Sequence, residues 1–221
     1  MNKLLLPLLA LFVTSVTVLP ALAQEVKGDA KAGAGKASMC IGCHSIKGYQ
    51  ASFPEVYKVP MIAGQGARYL AISLSAYQKG ERKHPTMKGI SGSLTEQDMA
   101  DLAAFYEALG GPAAAAAPPK PPEASGKTAE LLKKGACASC HGDNYSKPID
   151  PGYPKIAGQH ADYLFVALKS YKSEGNATWG RANGVMGGIA KQFTNAELKL
   201  LANYLQTVPG ELKTVPQAKF K

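Results

Sequence analysis

Apolar side chains recur every three to four residues over four long segments of the chain, which are residues 66–78, 96–109, 160–172 and 195–208. This spacing is typical of amphipathic helices that bury one face. No segment alternates apolar and polar residues in the way that a half-buried strand would. The pattern therefore predicts an all-α fold.

Residues of the types that cap helix N-termini precede the predicted helices. Thr95 and Thr194 each precede a predicted helix and have an acidic residue three positions later, as in a capping box. Asp29 is expected to cap a helix that runs into Cys40, and Ser125 or Thr128 a helix that runs into Cys137. The residues expected to face inward on the last helix of each repeat are Met99, Leu102, Phe105 and Leu109, and Leu198, Leu201, Tyr204 and Val208.

The first segment is apolar throughout. Residues 4–22 form an apolar run behind Lys3 and end in Ala21-Leu22-Ala23, the small-x-small pattern of a signal-peptidase site. We expect a signal peptide over residues 1–23, cleaved after Ala23, so that the mature chain reaches the periplasm. The alternative is an uncleaved anchor, since the run is nearly long enough to span a bilayer.

The rest of the chain is a tandem repeat. Four blocks recur in the same order: 40–44 with 137–141, 60–65 with 154–159, 87–90 with 186–189, and 94–98 with 193–197. The offsets lie between 94 and 99 residues, so the loops differ in length while the framework is kept. We expect two domains of about 90 residues, at the small end of what folds alone.

A segment rich in proline and alanine separates the repeats. Residues 111–126 contain five consecutive alanines and two Pro-Pro pairs, a composition that favours an extended, semi-rigid spacer. We assign domain 1 to residues 24–110, the linker to 111–126 and domain 2 to 127–221. A linker of this length predicts halves that are docked less tightly than in a repeat with a short join.

Each repeat contains a Cys-x-x-Cys-His motif, the signature of covalent haem attachment. Cys40 and Cys43, and in the second repeat Cys137 and Cys140, are expected to bind the porphyrins, and the histidines that follow, His44 and His141, to bind the irons. A disulfide pair would not explain the histidine in both copies, and a zinc site would need more ligands nearby. The sequence thus predicts two haem c groups.

The second iron ligands follow from the repeat. Among the methionines of the mature chain only Met87 and Met186 occupy matching positions, each in a glycine-containing loop before the last helix. We predict that these two thioethers bind the irons opposite the histidines. His84, three residues before Met87, is an alternative ligand, although its counterpart in the repeat is not histidine.

Further residues are candidates for the surroundings of the haems. The carbonyls of Pro60 and Pro154 are expected to accept hydrogen bonds from the proximal histidines. Residues that could contact the haem propionates are Tyr77, Tyr171, Gln65, Gln159 and Arg68. Trp179 lies in a five-residue extension of the second repeat and is expected to cover the haem of that repeat.

Composition and charge narrow the class of protein. The 221 residues are 46% hydrophobic and 19% charged, which excludes a disordered chain and a multi-pass membrane protein. The net charge is +9, with ten basic against eight acidic residues in 24–110 and thirteen against seven in 127–221. We expect the second half to meet acidic partners first. Nucleic acid is not an expected partner of an exported chain without clusters of basic and aromatic residues.

The paired haem motifs, the paired Pro-x-Ile-Ala-Gly-Gln-x-x-x-Tyr-Leu blocks and the paired Met-x-Gly loops resemble the dihaem cytochrome c4 family over essentially all of the mature chain. The resemblance implies two class I cytochrome c domains, each wrapped round a covalent haem, with the haems packed edge to edge. It also implies a periplasmic electron carrier that feeds a terminal oxidase. One departure is Ser45 after the first motif, where the family commonly has glycine, as at Gly142.

Histidine and methionine ligands at both irons leave no open coordination position, so we predict outer-sphere electron transfer by a carrier and not an enzyme. The expected partners are redox proteins of the respiratory chain with acidic docking surfaces, such as a terminal oxidase or a membrane reductase. We expect a monomer, with at most loose membrane association. The alternatives are the haem subunit of a flavin-dependent sulfide dehydrogenase and a dihaem oxidoreductase or peroxidase, which would need a displaceable ligand.

Overall fold

The structure, a computed structural model, describes residues 26–112, 120–124 and 126–217. The predicted signal peptide, much of the predicted linker and the candidate cap Ser125 lie outside the described residues. None of the helices within these ranges has the length and apolar character needed to cross a bilayer.

The described helices follow the same order in both halves of the chain. In the N-terminal half they are α1 (Ala30–Lys36), α2 (Ser38–His44), α3 (Ala67–Lys79), α4 (Pro85–Ser91) and α5 (Glu96–Leu109). In the C-terminal half they are α6 (Gly126–Lys134), α7 (Ala138–His141), α8 (Ala161–Ser170), α9 (Gly184–Ala190) and α10 (Asn195–Thr207). The prediction of a largely helical, duplicated fold is confirmed.

Three helices begin at the predicted caps, whereas the candidate cap Thr128 lies inside α6 and does not begin it. Both threonine caps form complete capping boxes: Thr95 accepts from the Asp98 amide at 3.1 Å, and Asp98 accepts from the Thr95 amide at 2.9 Å. Thr194 and Glu197 repeat this arrangement at the start of α10. Asp29 accepts a hydrogen bond of 2.8 Å from the Lys31 amide and so caps α1.

Each half has its own small core. Helix α5 packs against α1 and α3, and α10 packs against α8 and α6. The inward-facing positions expected on α5 and α10 are confirmed for Met99, Leu102, Leu198 and Leu201, which are at most 4% exposed. Gly33 permits the close approach of α1 to α5, because a Cβ atom there would lie 2.0 Å from the Asp101 carbonyl oxygen. This packing holds α1, the helix that directly precedes the haem-motif helix α2.

The fold also contains short strands that the sequence analysis does not predict. They are β1 (Gln50–Ala51), β2 (Tyr57–Lys58), β3 (Arg82–Lys83) and β4 (Gly180–Arg181). Strand β1 pairs with β2, and β3 pairs with β4, both antiparallel. A strand of two residues is too short to show an alternating pattern, which is why the sequence gives no signal for it.

The two halves are joined more closely than the linker composition predicts. The β3–β4 pair belongs half to one domain and half to the other, with Arg82 opposite Arg181. Ion pairs cross the boundary from Lys58 to Asp162 at 3.1 Å and from Lys169 to Glu55 at 2.6 Å. The Lys213 amide donates to the Ala63 carbonyl oxygen at 3.0 Å. Contacts between the folded halves, and not the linker, therefore fix their arrangement.

Two leucines of α10 offer a test of the core. Leu198 is 0% exposed, whereas Leu200 is 41% exposed. We expect Leu198→Ala to lower the free energy of unfolding by about 2–5 kcal/mol, because it leaves a cavity. The control Leu200→Ala should lower it by less than about 1 kcal/mol. Urea unfolding of the mature protein, followed by circular dichroism, measures both, and equal losses would contradict the assigned burial.

Candidate functional site

Each half encloses a cavity at its predicted haem motif. The N-terminal cavity, of about 380 Å³, is lined by Cys40, Cys43, His44 and Met87. The C-terminal cavity, of about 300 Å³, is lined by Cys137, Cys140, His141 and Met186. The structure thus brings the eight predicted attachment and ligand residues together as two matching sets of four.

The cysteines stand on short helices that present them to the cavities. Helix α2 contains Cys40 and Cys43, while Cys137 is the N-cap of α7 and Cys140 lies within it. All four thiols are free of disulfide bonds. Burial raises the pKa of Cys40 and of Cys137, so these groups stay as thiols.

The two histidines are held in one tautomer. His44 Nδ1 lies 2.9 Å from the Pro60 carbonyl oxygen, and His141 Nδ1 lies 2.9 Å from that of Pro154. A carbonyl can only accept, so each Nδ1–H donates and each Nε2 keeps its lone pair. Burial lowers the pKa of both imidazoles, which keeps them neutral. Each half therefore offers an oriented Nε2 as a metal ligand.

The two methionines lie on helices, which corrects the expectation of glycine-containing loops. Met87 is on α4 and Met186 on α9. Asn183 Oδ1 accepts from the Met186 amide at 2.9 Å, and His84 Nδ1 accepts from the Met87 amide at 3.3 Å. Equivalent N-caps thus fix the position of each methionine.

This capping role decides between the two roles considered for His84, which are an iron ligand and a structural residue. Because His84 Nδ1 accepts from Met87, its Nε2 carries the proton and donates to the Tyr57 hydroxyl at 3.0 Å. Burial lowers the pKa of His84, in agreement with a neutral ring. Both ring nitrogens are used within the protein, so His84 replaces an asparagine cap and is not available in place of Met87.

A cluster of arginines and tyrosines lies between the cavities, and the sequence analysis names its tyrosines Tyr77 and Tyr171 but misses its two arginines. Arg82 and Arg181 line both of them. The Arg82 guanidinium lies 4.7 Å from the ring centre of Tyr77, and that of Arg181 lies 5.4 Å from the ring centre of Tyr171. The two arginines are related by the same offset of 99 residues as the two methionines, and that correspondence is the signal that could have found them.

The charge of this cluster has no carboxylate to balance it. In the described part of the chain neither guanidinium forms an ion pair with Asp or Glu, and Arg82 Nε is buried without a hydrogen-bond partner. Although burial opposes it, the positive charges of Arg181 and Arg82 lower the pKa of Tyr163. A buried, unpaired cation is unfavourable. The cluster therefore fits a cofactor that brings negative charge between the halves.

The two glutamines at matching positions of the repeat, Gln65 and Gln159, make different contacts from those expected for them. Gln65 donates from Nε2 to the Lys155 carbonyl oxygen and accepts from the Lys155 amide, both at 2.9 Å. Gln159 makes the same pair of bonds to Met61, at 2.9 and 3.0 Å. Their amide groups are thus committed to the backbone of the opposite half, and they join the halves instead of contacting propionates.

Trp179 is also placed differently from the expectation. It lines the N-terminal cavity, although it belongs to the C-terminal half. Its predicted position over the haem of its own half is wrong, because the β3–β4 pair draws this segment across the boundary.

The donor set of each cavity fits an iron porphyrin. A neutral imidazole and a methionine line one enclosed apolar space, two thiols stand at its wall, and unpaired guanidiniums stand at its edge. Within the described ranges no cluster of three or more His, Cys, Asp or Glu side chains is arranged to hold a bare metal ion. Fold and cavities together define a c-type cytochrome with two haem sites.

Comparison with known proteins gives the family. The family model described as Cytochrome c matches residues 30–109 and 125–209. Cytochrome c4 of Stutzerimonas stutzeri is 32% identical over 224 residues, covering 93% of this chain and 99% of that protein. The chain therefore belongs to the cytochrome c family and, within it, to the dihaem cytochromes c4.

Two further similarities bear on the fold and on the partners of relatives. The crystal structure of reduced recombinant cytochrome c4 from Pseudomonas stutzeri has a TM-score of 0.60 and 28% identity, covering 82% of this chain and 99% of that one. A thiosulfate dehydrogenase electron acceptor of Stutzerimonas stutzeri strain A1501 is 30% identical, covering 82% of this chain and 84% of its own. The predicted family, the tandem domains and the two covalent haem c groups are confirmed, and the chain is an electron-transfer cytochrome and not an enzyme.

The glutamine contacts between the halves can be tested one at a time. We expect Gln159→Leu to speed amide hydrogen exchange at Met61 by about tenfold, because the Met61 amide loses its acceptor. The Lys155 amide, which is bound by Gln65, should exchange as before. Gln65→Leu should give the reverse pattern.

Hydrogen exchange of the mature protein followed by NMR measures both amides in one experiment. Each variant is the control for the other. Unchanged exchange at Met61 in Gln159→Leu would contradict the crossed hydrogen bonds.

Proposed function

We propose that the chain is a periplasmic carrier that passes single electrons, by outer-sphere transfer, from respiratory dehydrogenases or reductases to a terminal oxidase. The observation that carries this proposal is that each cavity is lined by an oriented imidazole and a methionine thioether. With an imidazole and a thioether both bound to each iron, no position would be left for a substrate. An electron carrier needs only a suitable reduction potential of each haem and an unchanged arrangement of the ligands around it.

In this proposal four residues of the N-terminal half hold its haem. Cys40 and Cys43 attach the haem, and His44 and Met87 bind its iron. The Pro60 carbonyl holds the imidazole of His44 in orientation through a hydrogen bond of 2.9 Å. When bound, the haem iron supplies a reversible one-electron change.

The C-terminal half repeats these assignments. Cys137 and Cys140 attach the second haem, His141 and Met186 bind its iron, and the Pro154 carbonyl orients the imidazole. Apolar residues around both cavities exclude water from the ligands, which favours the less charged, reduced state and raises the potential.

Arg82 and Arg181 are proposed to neutralise the propionates. Both arginine side chains are half-buried, both line the two cavities, and the buried Arg82 Nε has no hydrogen-bond partner in the protein. Carboxylates are the groups that a planar guanidinium binds best. Tyr77 and Tyr171 flank the arginines, and their proposed role is to hold the guanidinium planes against their rings.

Domain boundaries and export belong to the same proposal. We assign the domains to residues 24–110 and 127–221, joined by a linker over 111–126, and a signal peptide to residues 1–23. The Ala21-Leu22-Ala23 pattern supports cleavage after Ala23 and a periplasmic location.

The charge of the C-terminal half supports an acidic redox partner. This half carries thirteen basic against seven acidic residues. A second candidate donor is a thiosulfate dehydrogenase, since one relative with 30% identity is named as the electron acceptor of such an enzyme. Reduction of the purified protein by either class of donor separates the two.

The methionine assignments can be tested by potentiometric titration followed in the visible and near infrared. We expect two high-potential steps and a methionine-to-iron charge-transfer band from each haem. Met87→Leu and Met186→Leu should each remove one band and lower one potential by about 0.1 V or more, within the roughly 0.8 V that axial ligands span. The matched control Met61→Leu should keep both bands. A wild-type protein without such bands would overturn the ligand assignment.

The docking proposal predicts a dependence on salt. The rate of electron transfer to an acidic partner should fall by about tenfold between low and physiological ionic strength, because screening weakens the attraction of unlike charges. Neutralising the exposed lysines of the C-terminal half, Lys133, Lys147 and Lys199, to glutamine should weaken that dependence. The same change at exposed lysines of the N-terminal half, Lys31, Lys47 and Lys88, is the control of equal charge.

Stopped-flow mixing over a range of salt concentrations measures these rates. A rate that does not change with salt would contradict an acidic partner. Equal effects of the two triple variants would contradict docking through the C-terminal half.

A further inference from the structure

The two repeats differ in length just before their distal methionines. Tyr77 and Tyr171 are related by an offset of 94 residues, whereas Met87 and Met186 are related by 99. The C-terminal half therefore has five extra residues between Tyr171 and Met186, in the connection from α8 to α9. We call residues 173–180 the strap.

The strap is held against the N-terminal half by backbone contacts at its end. Gly180 pairs with Lys83 in the β3–β4 ladder, and the Ala182 amide donates to the Glu81 carbonyl oxygen at 2.7 Å. Lys83 Nζ donates to the Asn176 carbonyl oxygen at 2.5 Å. These contacts come from the opposite half, so the position of the strap depends on docking.

Trp179 is aimed at the N-terminal cavity from this strap. Asn176 Oδ1 accepts from the amides of Thr178 and Trp179, both at 3.0 Å, which fixes the turn that presents the indole. Lys169 Nζ lies 5.6 Å from the centre of the indole ring and forms an ion pair of 2.6 Å with Glu55 of the other half. The indole is half-buried and lines the N-terminal cavity together with Gly180.

The equivalent place in the other half holds no side chain. Trp179 lies in the extension, so the repeat fixes no counterpart for it. Counted back from the match of Arg82 with Arg181, the corresponding place in the first half is Gly80. Gly80 has a φ of 79°, and a Cβ atom built there would meet nothing within 4 Å. Trp179 is not among the residues that line the C-terminal cavity in the described structure. The cover is therefore present on one of two otherwise matching sites.

We propose that Trp179 of the C-terminal half is the cover of the N-terminal haem site, and that it controls how readily small ligands reach that haem. This inference rests on the proposed haem ligands. The strap then has a function that the repeated helices do not provide. The C-terminal half controls access to the haem of the N-terminal half.

The physical reason is exclusion of water and competing ligands. An indole is the largest apolar side chain that a loop can lay over a cavity edge, and it packs at small entropic cost because it has few rotatable bonds. Removing it opens the N-terminal site while the C-terminal site keeps its surroundings. The potential of the N-terminal haem should then fall, because water stabilises the oxidised, more charged state.

The test uses imidazole, which competes with methionine for ferric iron. In a Met186→His background the near-infrared methionine band reports on the N-terminal haem alone, and in a Met87→His background on the C-terminal haem alone. We expect Trp179→Gly to raise the rate at which imidazole removes the band by about tenfold in the first background and to leave the second unchanged. Trp179→Phe should restore most of the protection, since an aromatic ring remains.

The outcomes distinguish a failure of the proposed cover from a failure of the proposed haem ligands. Absence of the methionine band from the protein with Trp179 intact would overturn the ligand assignment itself. A band that is present, with no effect of Trp179→Gly or with equal effects in both backgrounds, would overturn the proposed cover alone.

Fluorescence gives a second readout, because Trp179 is the single tryptophan of the chain. Its emission should be quenched in the haem-loaded protein and recover on unfolding.

Discussion

The hydrogen bond from each proximal histidine to a proline carbonyl is the interaction on which most of the structure depends. It fixes the tautomer of His44 and ties the motif helix to the segment that begins at Pro60. The next residue of that segment, Met61, is bound through its backbone by Gln159 of the other half. The residue that orients the proposed iron ligand, Pro60, and the residue bound from the other domain, Met61, are thus adjacent in the chain, so we expect a change in docking to alter the orientation of His44.

The centre of the interface carries like charges, which is unusual for a stable contact. Arg82 and Arg181 face each other across an antiparallel pair, surrounded by tyrosines and not by carboxylates. Two buried cations repel each other and lose their hydration. In the proposed arrangement the haem propionates would offset both effects. The cofactors would then complete the surface by which the domains meet, so that loading of both haems and docking would reinforce each other.

The sequence alone predicts the parts of this protein that depend on local or repeated patterns. Helices, threonine caps, the duplication and the two sets of Cys, His and Met are all read from spacing. It does not predict features whose partner is distant in the chain. The amides of Gln65 and Gln159 suit a propionate as well as a backbone group, and only the fold shows which is near. Trp179 was assigned to its own half for the same reason, since nothing local indicates that β4 pairs with β3.

The divergence of the two repeats is concentrated at one site. His44 and its proline acceptor are 16 residues apart, whereas His141 and its acceptor are 13 apart, so the first half has the longer segment here. That segment contains β1 and β2, and much of it lines the N-terminal cavity, as does Trp179 of the C-terminal extension. Both longer segments therefore line the same cavity, each from a different domain. The C-terminal site has the shorter segment between its histidine and proline and lies in the more basic half, which supports the proposal that its haem meets the partner while the N-terminal haem relays electrons within the molecule.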